Sequence, residues 1–436
     1  METSKSSLDD QSICEKVILA PMVRGSELAF RTMIRRYGVT HCFSPMLRAA
    51  EVVKAFQIWK ERDDNGNYNT DLSTRVTHED GILLLTDICG KNIMATSDSS
   101  TQSSSGEGIL TVQLCGCCPE KLYSATRVLM QLQLTENLQL HGIDLNLGCP
   151  QKCAQDGCFG AFLAENQPQL ALECVAAMRR AIDSFEESTS SSCRLDLPRL
   201  SCKIRLLETD DETISFAKNL QMAGCEILAL HCRRRIEKHN GKPNLDAGKK
   251  VVNALSIPVV INGSEANSLK DVAITLEKTQ AHSVMIARDF LTNPRMLIQE
   301  NADPAFLAAE YLDCCERYPP PSALYIQKHL RWIFRKYLQP ERKMEEKDYD
   351  YNDWRLRLWT FLARPFLETI YQFRQFVALY VKFNGSELPA SLSNQPEPSF
   401  KSIRQYRDQT YDSEEGLVSE VELEKCQTEV MVNLFQ

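Results

Sequence analysis

Short, nearly uninterrupted apolar runs alternate along the chain with stretches whose apolar residues recur every three or four positions. The runs are KVILAPM (16–22), THCFSPM (40–46), ILTVQLCG (109–116), GIDLNLG (142–148), LSCKIRL (200–206), EILALHC (226–232), PVVING (258–263) and HSVMIAR (282–288). Runs of this length, rich in Val, Ile and Leu, predict strands buried on both faces, as parallel strands are. Between them, 26–37, 119–134, 169–185, 211–222 and 247–255 predict amphipathic helices. Asp211 marks a helix start, and Gly224 follows the end of that helix. Eight strand–helix units within residues 1–300 predict a (β/α)8 barrel of the α/β class. A doubly wound open sheet is the alternative, disfavoured because no G-x-G-x-x-G follows the first strand.

The pattern changes after the barrel. Residues 301–390 carry helical periodicity alone: PAFLAAEYLDCCERY, ALYIQKHLRWIFRKYL and WRLRLWTFLARPFLETIYQFRQFVALYV predict a small all-α domain. From 391 to 436 Pro, Ser and Glu dominate, and a disordered tail is expected. Two serine-rich insertions, 95–108 and 186–198, are expected to be surface loops.

Composition narrows the setting. Hydrophobic residues make up 43% and charged residues 25%, as in ordinary globular proteins. No apolar run is long enough to span a bilayer, and the N-terminal residues lack an apolar signal core, so no membrane association is expected. The expected compartment is the cytoplasm, with the nucleus also open. The 17 cysteines are scattered through apolar runs, which points to reduced thiols. CGCC at 115–118 has no second pair at zinc spacing, so no metal is expected. The net charge of −8 argues against a polyanionic partner until it is divided: the tail carries −5 and the rest only −3. Local basic patches can therefore still decide partners.

Reactive groups of a barrel gather at the C-terminal strand ends. Those ends here carry Pro21 and Met22, Pro45 and Met46, Gln113, Asn146 with Cys149, Lys203 with Arg205, His231 with Arg233, Asn262 with Gly263, and Ala287 with Arg288. Singly, each is more often an ordinary satisfied polar residue; together on one rim they form a site pattern. The last two strand ends are where barrels hold phosphate, and Asn262, Gly263, Ser264, Ala287 and Arg288 offer backbone N–H groups and a guanidinium there. His231 and Lys203 can donate from earlier strands. Gln113 matches the pyrimidine edge of a flavin, Lys203 suits the negative charge at its N1–O2 locus, and Pro21 with Met22 supplies an apolar wall. The set outlines an FMN site. Cys149 beside such a ring suits a general acid for a carbon receiving hydride on its other face. Cys153 and Cys158 are read as packing or bystander thiols.

LAPMVRGSELAFRTMIRRYG, FSPMLRA, VQLCG, GIDLNLGCPQK…GAFL, CKIRL, HCRRR, NG and MIAR…NP stand in the order found in tRNA-dihydrouridine synthases. The chain resembles that family over 16–297 and more weakly into EYLDCCERYPPPSALYIQKHLRWIF. The resemblance implies a flavin-bearing barrel, a helical tRNA-binding domain and reduction of the uracil C5–C6 bond. In that scheme NADPH (or NADH) reduces FMN, hydride passes from flavin N5 to C6, and Cys149 protonates C5. The implied cofactor contacts are Pro21, Met22, Val23, Gln113, Lys203, His231, Asn262, Gly263, Ser264, Ala287 and Arg288. Asn146 and Lys152 are implied near the uracil, and Arg205 and Arg233 near cofactor or RNA phosphate. SELAFR and the EYLD…YP junction look most like the eukaryotic branch acting on D-loop positions 16/17, while APMVR and LAFRT are also similar to the 20a/20b branch. The chain departs from the family where Cys232 follows His231 in place of glycine, where Phe43 and Ser44 replace Tyr-Thr, and at Ser264.

Lys328, Arg331 and Arg335 recur at helical spacing and are expected to share one face. A solvated charged face is the commoner fate of such a pattern; a phosphate-tracking surface for tRNA is the functional one. Partners expected are tRNA and NAD(P)H, with the chain a monomer. A flavin barrel of the dihydroorotate dehydrogenase or ene-reductase kind, and a non-catalytic RNA-binding module, are the rival readings.

Overall fold

Alternation inside the apolar runs decides how they assemble. The computed structural model describes residues 10–60, 109–135, 140–188, 197–238, 240–298, 302–340, 353–363 and 367–393. Its strands are β1 (Val17–Leu19), β2 (His41–Phe43), β3 (Leu47–Arg48), β4 (Ile109–Cys115), β5 (Leu140–Leu147), β6 (Arg199–Leu206), β7 (Ile227–Arg234), β8 (Val259–Asn262) and β9 (Ser283–Ile286). All neighbours pair in parallel. β1 pairs with both β2 and β9, and β2 with β4, so the sheet closes on itself. The short β3 extends the β4 edge beyond β2. The expected barrel stands, and closure rules out the open sheet.

The helices of the barrel are α1 (Asp10–Cys14), α2 (Leu28–Arg35), α3 (Ala49–Lys60), α4 (Pro119–Thr135), α5 (Lys152–Asp156), α6 (Ala161–Asn166), α7 (Pro168–Ser188), α8 (Asp210–Met222), α9 (Leu245–Ala254), α10 (Leu269–Thr279) and α11 (Arg288–Thr292). Ordinary capping chemistry starts α8: Thr209 accepts from the Glu212 backbone and Glu212 answers the Thr209 backbone, so the start lies just ahead of the expected Asp211. Of the second serine-rich insertion, residues 186–188 complete α7; 189–196 lie outside the described residues, as does all of 95–108.

Beyond the barrel come α12 (Pro304–Arg317), α13 (Ala323–Ile333), α14 (Arg335–Leu338), α15 (Trp354–Ala363) and α16 (Ile370–Asn384). The long run expected to begin at Trp354 is two helices, because Thr369 and Gln372 form a fresh capping box that starts α16. The segment expected as a disordered tail falls outside the described residues after Ser393.

Two apolar layers result. Odd-numbered Ile143, Leu145 and Leu147 of β5 pack outward with Leu200, Cys202 and Ile204 of β6 against the helices. Inside, Ile18, Ala20, Phe43, Ala229, Val260 and Met285 form a small apolar plug. A third core is continuous from Val17, Leu19 and Phe30 to Tyr311, Phe334, Phe373 and Phe376, so the terminal helices share it with the first and last barrel units. Each fully buried side chain of this kind contributes about 1.5–3 kcal/mol by area.

A polar joint crosses that core. Glu27, at the N-cap of α2, is fully buried. Its Oε1 accepts a hydrogen bond from the Tyr311 hydroxyl at 2.7 Å and lies 2.9 Å from His329 Nε2. The rings of Phe30 and Tyr311 each stand 4.4 or 6.3 Å from neighbours in this cluster, Phe30 over His329 and edge-on to Tyr311. Burial alone would push the Glu27 carboxyl up, but His329 and the Tyr311 hydroxyl outweigh it and hold the group below the usual carboxylate range. Glu27→Ala would leave the imidazole and the phenol buried without their acceptor, and a loss of about 3–5 kcal/mol is expected in urea unfolding near neutral pH. Because the folded value is lowered, the carboxylate's contribution is complete above the usual carboxylate range and is lost as pH falls through the folded value. The gap between wild type and variant should therefore narrow in acid; a gap that persists would show that packing, not charge, holds the joint.

Candidate active site at the barrel mouth

In a closed barrel residues i and i+2 of a strand share one face. Asp144 and Asn146 on β5, Ser201, Lys203 and Arg205 on β6, and His231 and Arg233 on β7 are therefore lumen-facing sets, and the registers Gln113↔Asp144, Asn146↔Lys203 and His231↔Asn262 bring them side by side.

One network runs across β4, β5 and β6. Ser201 Oγ donates to Asp144 Oδ1 at 2.7 Å and Gln113 Nε2 to Asp144 Oδ2 at 2.8 Å. Asn146 Nδ2 donates to Gln113 Oε1 at 2.8 Å and approaches Met46 Sδ at 3.2 Å. Asn146 Oδ1 accepts from the backbone N–H groups of Gly148 and Cys149 at 3.2 and 3.0 Å. Gln113, at 1% exposure, thus has both ends of its amide engaged inside the barrel. Burial pushes the Asp144 carboxyl up to about 6, held there against the pull of Ser201 and Gln113.

A second network joins β6, β8 and β9. Lys203 Nζ donates to Asn262 Oδ1 at 2.9 Å, and Asn262 Nδ2 donates to the Met285 carbonyl at 2.8 Å. Burial, aided by neighbouring Arg205, lowers Lys203 to about 8 although Asp144 pulls the other way. Asn262 is the acceptor this ammonium meets among the described residues, so two of its three N–H donors are open to a ligand.

At β7 and β8, Arg233 NH1 lies 3.3 Å from His231 Nε2 and donates to the Gly263 carbonyl at 3.0 Å, while its NH2 pairs with Glu265. Gly263 has φ +84°, and a Cβ there would fall 2.3 Å from His231 Cδ2. Glycine is what lets the backbone approach the imidazole.

Cys149 sits just beyond β5, and its carbonyl accepts from the Ala161 N–H at 3.1 Å. Gly160, at φ +66°, packs so tightly that a Cβ would stand 2.8 Å from that carbonyl. Burial raises the thiol pKa, offset only in part by a hydrogen bond from the Gln151 backbone. A raised value keeps the sulfur protonated at neutral pH, as a proton donor needs and a nucleophile does not.

The remaining expected residues divide. Pro21, Met22 and Val23 lie in the loop after β1, which Ser26 closes: its Oγ accepts from Met22 N at 3.0 Å. Ser264 and Ala287 border the β8 and β9 ends, Arg288 and Lys152 are exposed, and Lys152 opens α5 beside Cys149. Arg205 and Arg233, expected near cofactor or RNA phosphate, brace backbone: Arg205 donates to the carbonyls of Gly148 and Lys238, both at 2.8 Å, and Arg233 to Gly241 at 3.0 Å. Lys328 and Arg331 lie on α13, which ends at Ile333, and Arg335 opens α14 one residue later. Arg331 lies over the Trp359 ring and Arg335 over Trp332, while Lys328 Nζ reaches the Val23 carbonyl at 2.5 Å. Lys328 thus belongs to the loop after β1.

Asp144 and Ser201, buried partners in the network behind the expected site residues, are passed over by the run-by-run reading. Their signal was present: each stands two positions before an expected site residue, hence on the same strand face. Among the described residues no three His, Cys, Asp or Glu side chains converge as a metal site, and no helix is long and apolar enough to cross a membrane.

The donor set fits FMN on two observations: a half-buried ammonium next to an amide, and a glycine cradle beside an imidazole where a bulkier residue cannot stand. Lys203, Asn262, Gly263, His231 and the loop of Pro21 to Val23 would hold it.

Comparison with known proteins agrees with this geometry. The family Dihydrouridine synthase (Dus) matches residues 81–352, which takes in Gln113, Asn146, Cys149, Lys203, His231, Asn262 and Arg288 but begins after β1 and β2. A tRNA-dihydrouridine(16/17) synthase-like protein of Rattus norvegicus is 31% identical over 76% of this chain and 62% of its own length. The counterpart in Mus musculus is 31% identical over 76% of this chain and 57% of its own length. A tRNA-dihydrouridine(20a/20b) synthase-like protein of Mus musculus is 27% identical over 75% of this chain and 82% of its own. The chain thus spans about three fifths of the length of the two 16/17-type relatives, at 62% and 57%. With the family matched over more than half its residues, this chain belongs to the dihydrouridine synthase (Dus) family.

Proposed function

We propose that the chain reduces the C5–C6 bond of D-loop uridines in tRNA, at positions of the 16/17 type, with NAD(P)H as reductant and FMN in the barrel mouth. The observation that carries the reading is a half-buried thiol, its pKa raised by burial, seated by Asn146 at the rim of a cationic donor set. The names of the 16/17-type relatives support the substrate class. FMN, once reduced, supplies hydride to an electron-poor ring carbon.

The protein's own residues do the rest. Lys203, aimed by Asn262, would offer positive charge to a bound flavin and so favour its reduced, more negative form. Cys149 holds a proton at Sγ for delivery to C5 from the face opposite the hydride. The loop from Met22 to Ser26, pinned by Ser26 Oγ and Lys328, forms one wall. Lys152, exposed at the start of α5, would meet the uridine or its phosphate.

The reading is tested by loading purified protein with FMN and following dihydrouridine in tRNA by mass spectrometry. Cys149→Ala should slow product formation by about 100-fold or more while flavin reduction by NADPH continues, since the thiol takes no part in that step. Product formed at the wild-type rate would place the proton donor elsewhere. Mapping the reduced position separates the 16/17 branch from 20a/20b.

The Lys203 ammonium has a pH signature. Its lowered value of about 8 means that the free protein loses this charge as pH rises through 8. FMN affinity should therefore be flat below that point and fall by up to about tenfold per pH unit above it, until the bound form's own pKa is reached. Lys203→Met should bind FMN more weakly, with no inflection near that pH. An identical profile in the variant would assign the titration to another group.

A further inference from the structure

We propose that Asp144 is a positioning residue whose carboxylate sets the direction of the amide chain that seats Cys149; the inference rests on the reading of Cys149 as proton donor. An ionised carboxylate only accepts hydrogen bonds, and each amide has one accepting and one donating end. Asp144 Oδ1 takes the Ser201 hydroxyl proton and Oδ2 takes Gln113 Nε2–H, at 2.7 and 2.8 Å. Gln113 must then turn Oε1 toward Asn146, which donates to it at 2.8 Å. Asn146 is left with Oδ1 facing the Gly148 and Cys149 N–H groups, at 3.2 and 3.0 Å. Direction passes from one end to the other without a free choice.

Reversal shows why it matters. If Gln113 turned its NH2 group toward Asn146, Asn146 would have to answer with Oδ1 and present Nδ2 to two backbone donors. Asp144, Gln113 and Asn146 are all buried, at 0, 1 and 8% exposure, so water cannot readily repair the mismatch. The Cys149 backbone would lose its acceptor, and Gly160, packed against Cys149 from the other side, would remain as its chief constraint. Asp144 makes no contact with Cys149, yet Cys149 is held where it is through it. The plainer reading is that Asp144 merely fills space in the lumen with satisfied hydrogen bonds.

Three variants separate these. Asp144→Asn can keep the direction: its Oδ1 accepts from Gln113 while Nδ2 donates to Ser201, whose hydroxyl rotates to accept. Asp144→Leu keeps the volume but offers no acceptor. Asp144→Asn with Ser201→Ala removes the partner that orients the new amide. With FMN bound, Asp144→Asn is expected within about threefold of wild type in dihydrouridine formation, and Asp144→Leu about 100-fold slower, the scale of a misplacement near one ångström. Should Asp144→Leu fail to fold, the double variant carries the test, with a loss of about tenfold relative to Asp144→Asn alone. In parallel, iodoacetamide labelling of Cys149, followed by peptide mass spectrometry on the folded proteins, should change several-fold in the impaired variants and stay at the wild-type rate in Asp144→Asn. A filler role would alter unfolding midpoints without moving that labelling. Equal impairment of Asp144→Asn and Asp144→Leu, or unchanged labelling in both the Leu and the double variant, overturns the inference. The labelling does not depend on which group donates the proton, so a fully active Cys149→Ala protein would overturn the functional reading while the seating chain is still judged on its own.

Discussion

Inside a closed eight-stranded barrel, every second side chain of each strand faces a lumen too narrow to hydrate it, so a polar group placed there must find its partner on a neighbouring strand. That requirement organises the mouth of this protein. Asp144 and Gln113 stand opposite each other in register, Ser201 meets Asp144 from the other side, and Asn262 takes up both Lys203 and the Met285 carbonyl. Below this layer the lumen is filled by Ile18, Ala20, Phe43, Ala229, Val260 and Met285, which need no partners. Polar groups therefore collect in one band near the strand ends, and each is satisfied in a fixed direction.

The reactive character of the site follows from the same confinement. Burial pushes Asp144 and the Cys149 thiol up and Lys203 down, each toward its neutral form. For Cys149 this keeps the proton that an acid must hold. For Lys203 it leaves a charge that responds strongly to an anionic neighbour. Arg205 and Arg233 give their hydrogen bonds to loop carbonyls and so tie the loops beyond the strand ends to the rim.

The terminal helices are part of this arrangement rather than an appendage. They share one apolar core with β1, α2 and the last barrel unit, and the Glu27–Tyr311–His329 joint is buried within it. Lys328, one residue from His329, reaches the carbonyl of Val23. The loop after β1 is thus shaped both by its own Ser26 and by a helix residue 305 positions beyond Val23.

Much of this was legible in the chain itself. Nearly continuous apolar runs separated by helical periods determine parallel strands with helices between them, because only strands covered on both faces can be so apolar, and eight such units point to a barrel with its polar tips on one rim. Cys149, Lys203, His231 and Asn262 were legible for that reason. What local pattern could not determine was direction and partnership. Asp144 looks like a blemish in an apolar run until register sets it against Gln113, and the loop carbonyls that Arg205 and Arg233 meet come from segments no local pattern connects to them. Lys328, Arg331 and Arg335 recur at helical spacing, but the helix ends at Ile333, the Trp359 ring brought by tertiary packing takes up Arg331, and Arg335 lies over Trp332, its own neighbour in sequence. Periodicity is a property of neighbours in sequence and survives in any fold. A hydrogen bond's direction depends on which groups meet across strands, and only the closed barrel decides that.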